Sequence, residues 1–135
     1  MAQTGQSTGG RPLSPSVGVW RWHVTMLASI LHRLAGIGLY LGLLILAGWL
    51  LCLKLGPDAF GAYAGALATP IGYGMLFLIL AGWLFHLANG MRHLAWDLGK
   101  GFKIKTADAT AWLAIAFAAL GTAAVVAALL AKGKI

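Results

Sequence analysis

Glutamate does not occur in this chain of 135 residues, and its acids are Asp58, Asp97 and Asp108 alone. Charged residues make up 10% of the sequence, where soluble domains hold about a quarter. The composition is too apolar for a soluble domain. Cys52 is the single cysteine, which excludes an intrachain disulfide, a CxxC pair and an iron–sulfur centre held by this chain. The N-terminal MAQTGQSTGGRPLSP lacks the apolar core of a secretory signal and the amphipathic, Arg-rich pattern of a mitochondrial transit peptide. A bacterial cytoplasmic membrane is the address this predicts.

What the chain has in abundance is apolar sequence, at 60% of residues. About 20 consecutive apolar residues cross a hydrocarbon core. Three segments meet that length: 34–53, 59–91 (interrupted by one histidine) and 109–131. The predicted fold class is an all-α membrane protein with three transmembrane helices, at about 26–55, 70–98 and 107–131. Residues 1–25 form an N-terminal segment, and Trp20 and Trp22 around Arg21 suit an interfacial anchor. Gly56 and Pro57 read as a stop signal for the first helix. Thr69 and Pro70 read as the N-cap and first residue of the second, which Gly99 can end. Thr106 is the expected cap of the third helix, with Asp108 near the positive end of its dipole.

The formal charge of +7 would suggest nucleic acid in a soluble protein, but here the bases surround helix ends. Arg11, Arg21, Arg33, Arg92, Lys100, Lys103 and Lys105 fall on one side of the membrane, and Lys54, Lys132 and Lys134 on the other. Positive-inside logic predicts a cytoplasmic N-terminus and an external C-terminus.

Two polar clusters then come to one depth. Ser29, His32 and Arg33 open the first span, and Arg92, His93 and Asp97 close the second. His86 lies six residues before Arg92, roughly 9 Å deeper. The second helix carries Gly82, His86, Asn89, Gly90 and His93 on one face, and the glycines leave room for a neighbouring helix or a flat macrocycle. Glycines also let helices pack closely, and Arg33, Arg92 and Asp97 also suit boundary residues that snorkel. An ionisable residue inside the membrane is a functional suspect. On its chemistry alone His86 suits a metal ligand and a cross-helix hydrogen bond equally.

RPLSP at 11–15, SILHR at 29–33 and HLANGMRHLAWDLG at 86–99 resemble the cytochrome b556 subunits of succinate dehydrogenase, which anchor that enzyme in its membrane. The match runs in order over nearly the whole chain, with Ser16 and Ala35 as small departures. The resemblance implies half of a heterodimeric helix bundle that binds one haem b. It makes His86 an axial ligand of the iron, opposite a histidine of a partner anchor subunit. It places ubiquinone at Ser29 and Arg33, and leaves His32, Arg33, Arg92 and His93 as candidate contacts for the haem propionates. An iron–sulfur subunit and a flavoprotein are the implied partners, passing electrons from succinate to the quinone site. The chain itself would serve as the quinone-site and electron-transfer subunit of the enzyme. Two other readings are a haem-free or fumarate-reductase-type anchor with a structural His86, and a purely structural or transport subunit. Transport lacks support in the third helix, whose polar groups within the span are Thr110 and Thr122.

Overall fold

The computed structural model describes residues 21–133 and residue 135. RPLSP, Ser16, Arg11, Trp20 and Lys134 lie outside the described residues. Four helices follow in order: α1 (Val24–Leu55), α2 (Pro57–Leu67), α3 (Pro70–Asp97) and α4 (Ile104–Ala131). The described residues contain no strand. Helices α1, α3 and α4 are each long and apolar enough to cross a membrane. The chain is thus a multi-pass, all-α membrane protein.

Gly56 ends α1 with φ 116°, a conformation that favours glycine. Pro57 does more than stop that helix, because it is also the first residue of α2. The eleven residues of α2 cannot span a bilayer. They fold back on the end of α1, where the Tyr63 hydroxyl donates to the Ile45 carbonyl at 2.7 Å. Gly48 makes room for that ring, since a Cβ there would stand 2.9 Å from the Tyr63 oxygen. Trp49 meets Phe60 edge-on, with ring centres 5.8 Å apart.

Thr69 caps α3 as its sequence predicts, accepting from the Gly72 amide at 3.1 Å. Gly99 (φ 73°) closes the same helix, and the Lys100 amide reaches back to the Ala95 carbonyl at 3.0 Å. The start of α4 departs from expectation. Its first i→i−4 bond joins the Ala107 amide to the Lys103 carbonyl at 2.9 Å, so Lys103 is the N-cap. Thr106 is therefore inside the first turn, where its carbonyl accepts from the Thr110 hydroxyl at 2.9 Å. Asp108 falls in the second turn, away from the strongest part of the dipole, and comes within 3.3 Å of His23 Nε2 at the start of α1.

Helix α3 packs against both α1 and α4, which also touch each other. The buried apolar core is small: Ala28 of α1, Phe85 of α3, and Ala111, Ala114 and Ala118 of α4. Alanine every three or four residues along α4 lets α3 approach closely, as small residues do between membrane helices. Most large apolar side chains point outward instead, as expected of surfaces solvated by lipid or by another membrane subunit.

Candidate functional site

The histidines and the buried arginine of the described bundle gather at one end, from the first turns of α1 and α4 and the last turns of α3. Along α3, Phe85, Asn89 and Arg92 are buried. Their spacing of four and three residues puts them on the face turned to α4. His86 and His93, seven apart, lie on the face turned to α1.

His86 is half-buried against α1. Its ring stacks on His32, with centroids 3.9 Å apart and planes inclined by 11°. His86 Nδ1 lies 3.2 Å from the His32 carbonyl oxygen. A carbonyl only accepts, so Nδ1 carries the proton and donates. In the neutral ring Nε2 is then the bare nitrogen, and no described residue donates to it. The close approach depends on Gly36, where a Cβ would come to 3.4 Å of His86 Cε1. Of the two α3 glycines flanking His86, Gly82 is approached by Ala35 at 3.9 Å from an added Cβ, and Gly90 faces open space. A neighbouring helix thus takes the room on one side of His86, and the other side stays free.

Spacing alone puts His86 about two turns deeper than His93 and the level of His32. The folded chain joins the three. His32 lies between the other two rings, 5.2 Å from His93. His32 Nδ1 is buried and has no hydrogen-bond partner among the described residues. His93 in turn packs edge-on against Trp96 at 5.1 Å.

Arg92 does not snorkel. Only 7% of its surface is exposed, and its guanidinium turns toward α4. Nη1 donates to Asn89 Oδ1 (3.0 Å), Nε to Thr110 Oγ1 (3.2 Å) and Nη2 to the Ala107 carbonyl (3.3 Å). Trp96 lies 4.0 Å beneath it in a cation–π contact. Asn89, fully buried, carries the network onward, its Nδ2 3.3 Å from His93 Nε2. Sequence reasoning grouped Asn89 with the His86 face and gave Thr110 no part in the site. The overlooked signal was one buried donor-rich residue with polar groups at i−3 and on the facing helix.

Ser29 and Arg33 sit one turn apart on α1 and are exposed, whereas Ala28 is buried and Leu31, His32 and Ala35 are half-buried. Neither makes a side-chain hydrogen bond among the described residues. Asp97 is exposed at the end of α3. The structure therefore brings His32, His86 and His93 together, places Arg92 on the opposite side of α3, and leaves Ser29 and Arg33 facing outward.

Comparison with known proteins shows the family of the chain. The model of the succinate dehydrogenase/fumarate reductase transmembrane subunit family matches residues 7–125. A succinate dehydrogenase cytochrome b556 subunit of Rickettsia bellii is 36% identical over 112 residues, covering 83% of this chain and 87% of the relative. That of Paracoccus denitrificans is 34% identical over 108 residues, 80% of this chain and 83% of the relative. The mitochondrial cytochrome b560 subunit of Mus musculus is 33% identical over 132 residues, 94% of this chain and 70% of the relative. The chain belongs to the family of succinate dehydrogenase/fumarate reductase transmembrane subunits, as a membrane-anchor cytochrome b subunit.

Proposed function

We propose that this chain holds one haem b through His86, with the second axial ligand supplied by a partner anchor subunit. With Ser29 and Arg33 it forms part of the site at which ubiquinone receives electrons from succinate. The observation that carries the haem reading is the His86 to His32 bond of 3.2 Å. It fixes the ring as the Nδ1–H tautomer and leaves Nε2 free to ligate, which is the usual arrangement for a metal-binding histidine with a backbone carbonyl behind it. His32 lies face to face with His86, so the two imidazoles cannot ligate one iron from opposite sides. This geometry supports a second ligand from outside the chain. Bound between two imidazoles, a b-type haem transfers electrons and has no open position for oxygen.

The exposed Ser29 hydroxyl can hydrogen-bond a quinone carbonyl, and the Arg33 guanidinium can stabilise negative charge that develops during reduction. Their outward direction fits a site completed by other subunits. His32, with Arg33 and His93 beside it, offers groups for the anionic edge of the cofactor. Lys100 and Lys103 lie in the loop before α4 and Lys105 in its first turn, at the same end as these residues. Positive-inside logic turns that end toward the cytoplasm, where an iron–sulfur subunit and a flavoprotein would dock.

His86→Ala in the assembled complex is the test. The expected result is loss of the reduced-minus-oxidised haem b α-band with the subunits still associated. An unchanged band would return His86 to the alternative role, a cross-helix hydrogen bond in a haem-free anchor.

A further inference from the structure

The buried arginine is not explained by packing alone, because an apolar side chain would fill the α3–α4 contact without bringing a charge into it. What the guanidinium does is orient an amide. Arg92 Nη1 can only donate, so the Asn89 atom 3.0 Å away must be the oxygen. Asn89 therefore presents its NH2 to His93 Nε2 at 3.3 Å. A donor facing Nε2 requires a lone pair there, so the ring proton sits on Nδ1. Thr110 and the Ala107 carbonyl hold the guanidinium from α4, and Trp96 covers its face.

We propose that Arg92 and Asn89 are positioning residues that hold His93 as the neutral Nδ1–H tautomer, so that His93 offers a single fixed N–H donor to a carboxylate of the bound cofactor. The donor role rests on the haem reading above; the tautomer does not. No described side chain or carbonyl accepts from His93 Nδ1, and its ring lies 5.2 Å from His32, which stacks on His86. Arg92 is thereby removed from the groups that touch the cofactor. Its hydrogen bonds run to α4 and to Asn89, and it acts on the site through the amide.

The tautomer is read by solid-state 15N spectroscopy of the full chain in lipid bilayers, labelled at its four histidines. His93→Gln identifies the relevant signals. The wild-type chain is expected to show His93 with a bare Nε2 and a protonated Nδ1. Asn89→Asp still accepts from Arg92 but replaces the donor facing Nε2 by an acceptor, so Nε2 becomes protonated in essentially every molecule. Arg92→Lys keeps a donor to Asn89 and retains the wild-type pattern. Arg92→Leu frees the amide to rotate and gives a mixture of the two tautomers. A protonated Nε2 in the wild-type chain, or a His93 signal unmoved by Asn89→Asp, overturns the proposal.

In the assembled complex Asn89→Asp is expected to shift the midpoint potential of haem b. An inverted tautomer with an unshifted potential overturns the donor role. The 15N measurement needs no haem, so its failure is distinct from failure of the His86→Ala spectrum.

Discussion

The two ends of the bundle are built by different physics. At one end α1, α3 and α4 are tied by side-chain hydrogen bonds, stacked imidazoles and a buried guanidinium. At the other, contact depends on shape: Gly42 lies under Ile79, Gly48 under Tyr63 and Gly121 under Leu84. An apolar cavity of about 760 Å³, lined in part by Leu39, Leu46, Leu76 and Trp83, opens between α1, α2 and α3 in that second half. Lipid is as apolar as leucine, so burying leucine between membrane helices gains little, and close approach must supply the attraction. A polar group in the same setting has few alternative partners, so its hydrogen bonds define one geometry. The polar end is thus specific, and the apolar end is adaptable.

The largest effect expected at the polar end is functional. Arg33 makes no side-chain hydrogen bond among the described residues, so Arg33→Ala should leave the fold intact. Loss of one charge-stabilising donor lowers turnover by about a hundredfold in comparable sites. Ubiquinone reduction should fall on that scale while oxidation of succinate by an artificial dye continues. Parallel loss of both activities would point to failed assembly and dissolve the distinction between the outward face of α1 and its inward one.

Gly72→Ala tests whether shape is as demanding at the other end. A Cβ there would collide with the Leu67 backbone carbonyl, which cannot step aside as a side-chain tip would. Overpacking of this kind costs about 1–3 kcal/mol. A clear drop in the thermal midpoint of the purified complex is expected, with the haem spectrum unchanged. Gly121→Ala is the milder control, because the atom it meets is the flexible end of Leu84.

Thr69→Ala removes the side chain that accepts from the Gly72 amide. Losing such a cap costs about 1 kcal/mol, to be read by hydrogen exchange in the first turn of α3. The smallest effect belongs to Tyr63→Phe, which deletes one hydroxyl bond to Ile45. Single hydrogen bonds within membranes average about 0.6 kcal/mol. A loss well above this in denaturant-induced unfolding would show α2 to be pinned as firmly as the polar end.

Much of the architecture was legible without coordinates because the bilayer is a severe solvent. Runs of apolar residues, Gly56-Pro57, Thr69-Pro70 and Gly99 mark the spans and most of their ends through backbone chemistry that acts locally. Helix α2 was not legible, since a short, largely uncharged segment satisfies the same hydropathy whether it is a loop or a helix folded back on α1. The start of α4 was missed by three residues because Thr106 has a cap's chemistry, while the backbone bond from Ala107 to Lys103 selects the boundary. Within the site, spacing along α3 identified His86 and His93, but not their common neighbour.

The sequence by itself determined the membrane class, the three spans, the gathering of cations at one end and the residues worth suspecting. Each follows from properties of single segments: transfer free energy, dihedral preference and helical periodicity. Only the tertiary structure decided that His32 stacks on His86 and that its carbonyl sets which nitrogen of His86 is free. It alone also turned Arg92 inward to α4, with Asn89 between it and His93. Those outcomes depend on which faces of α1, α3 and α4 meet and at what register, and no local property of any one helix contains that information.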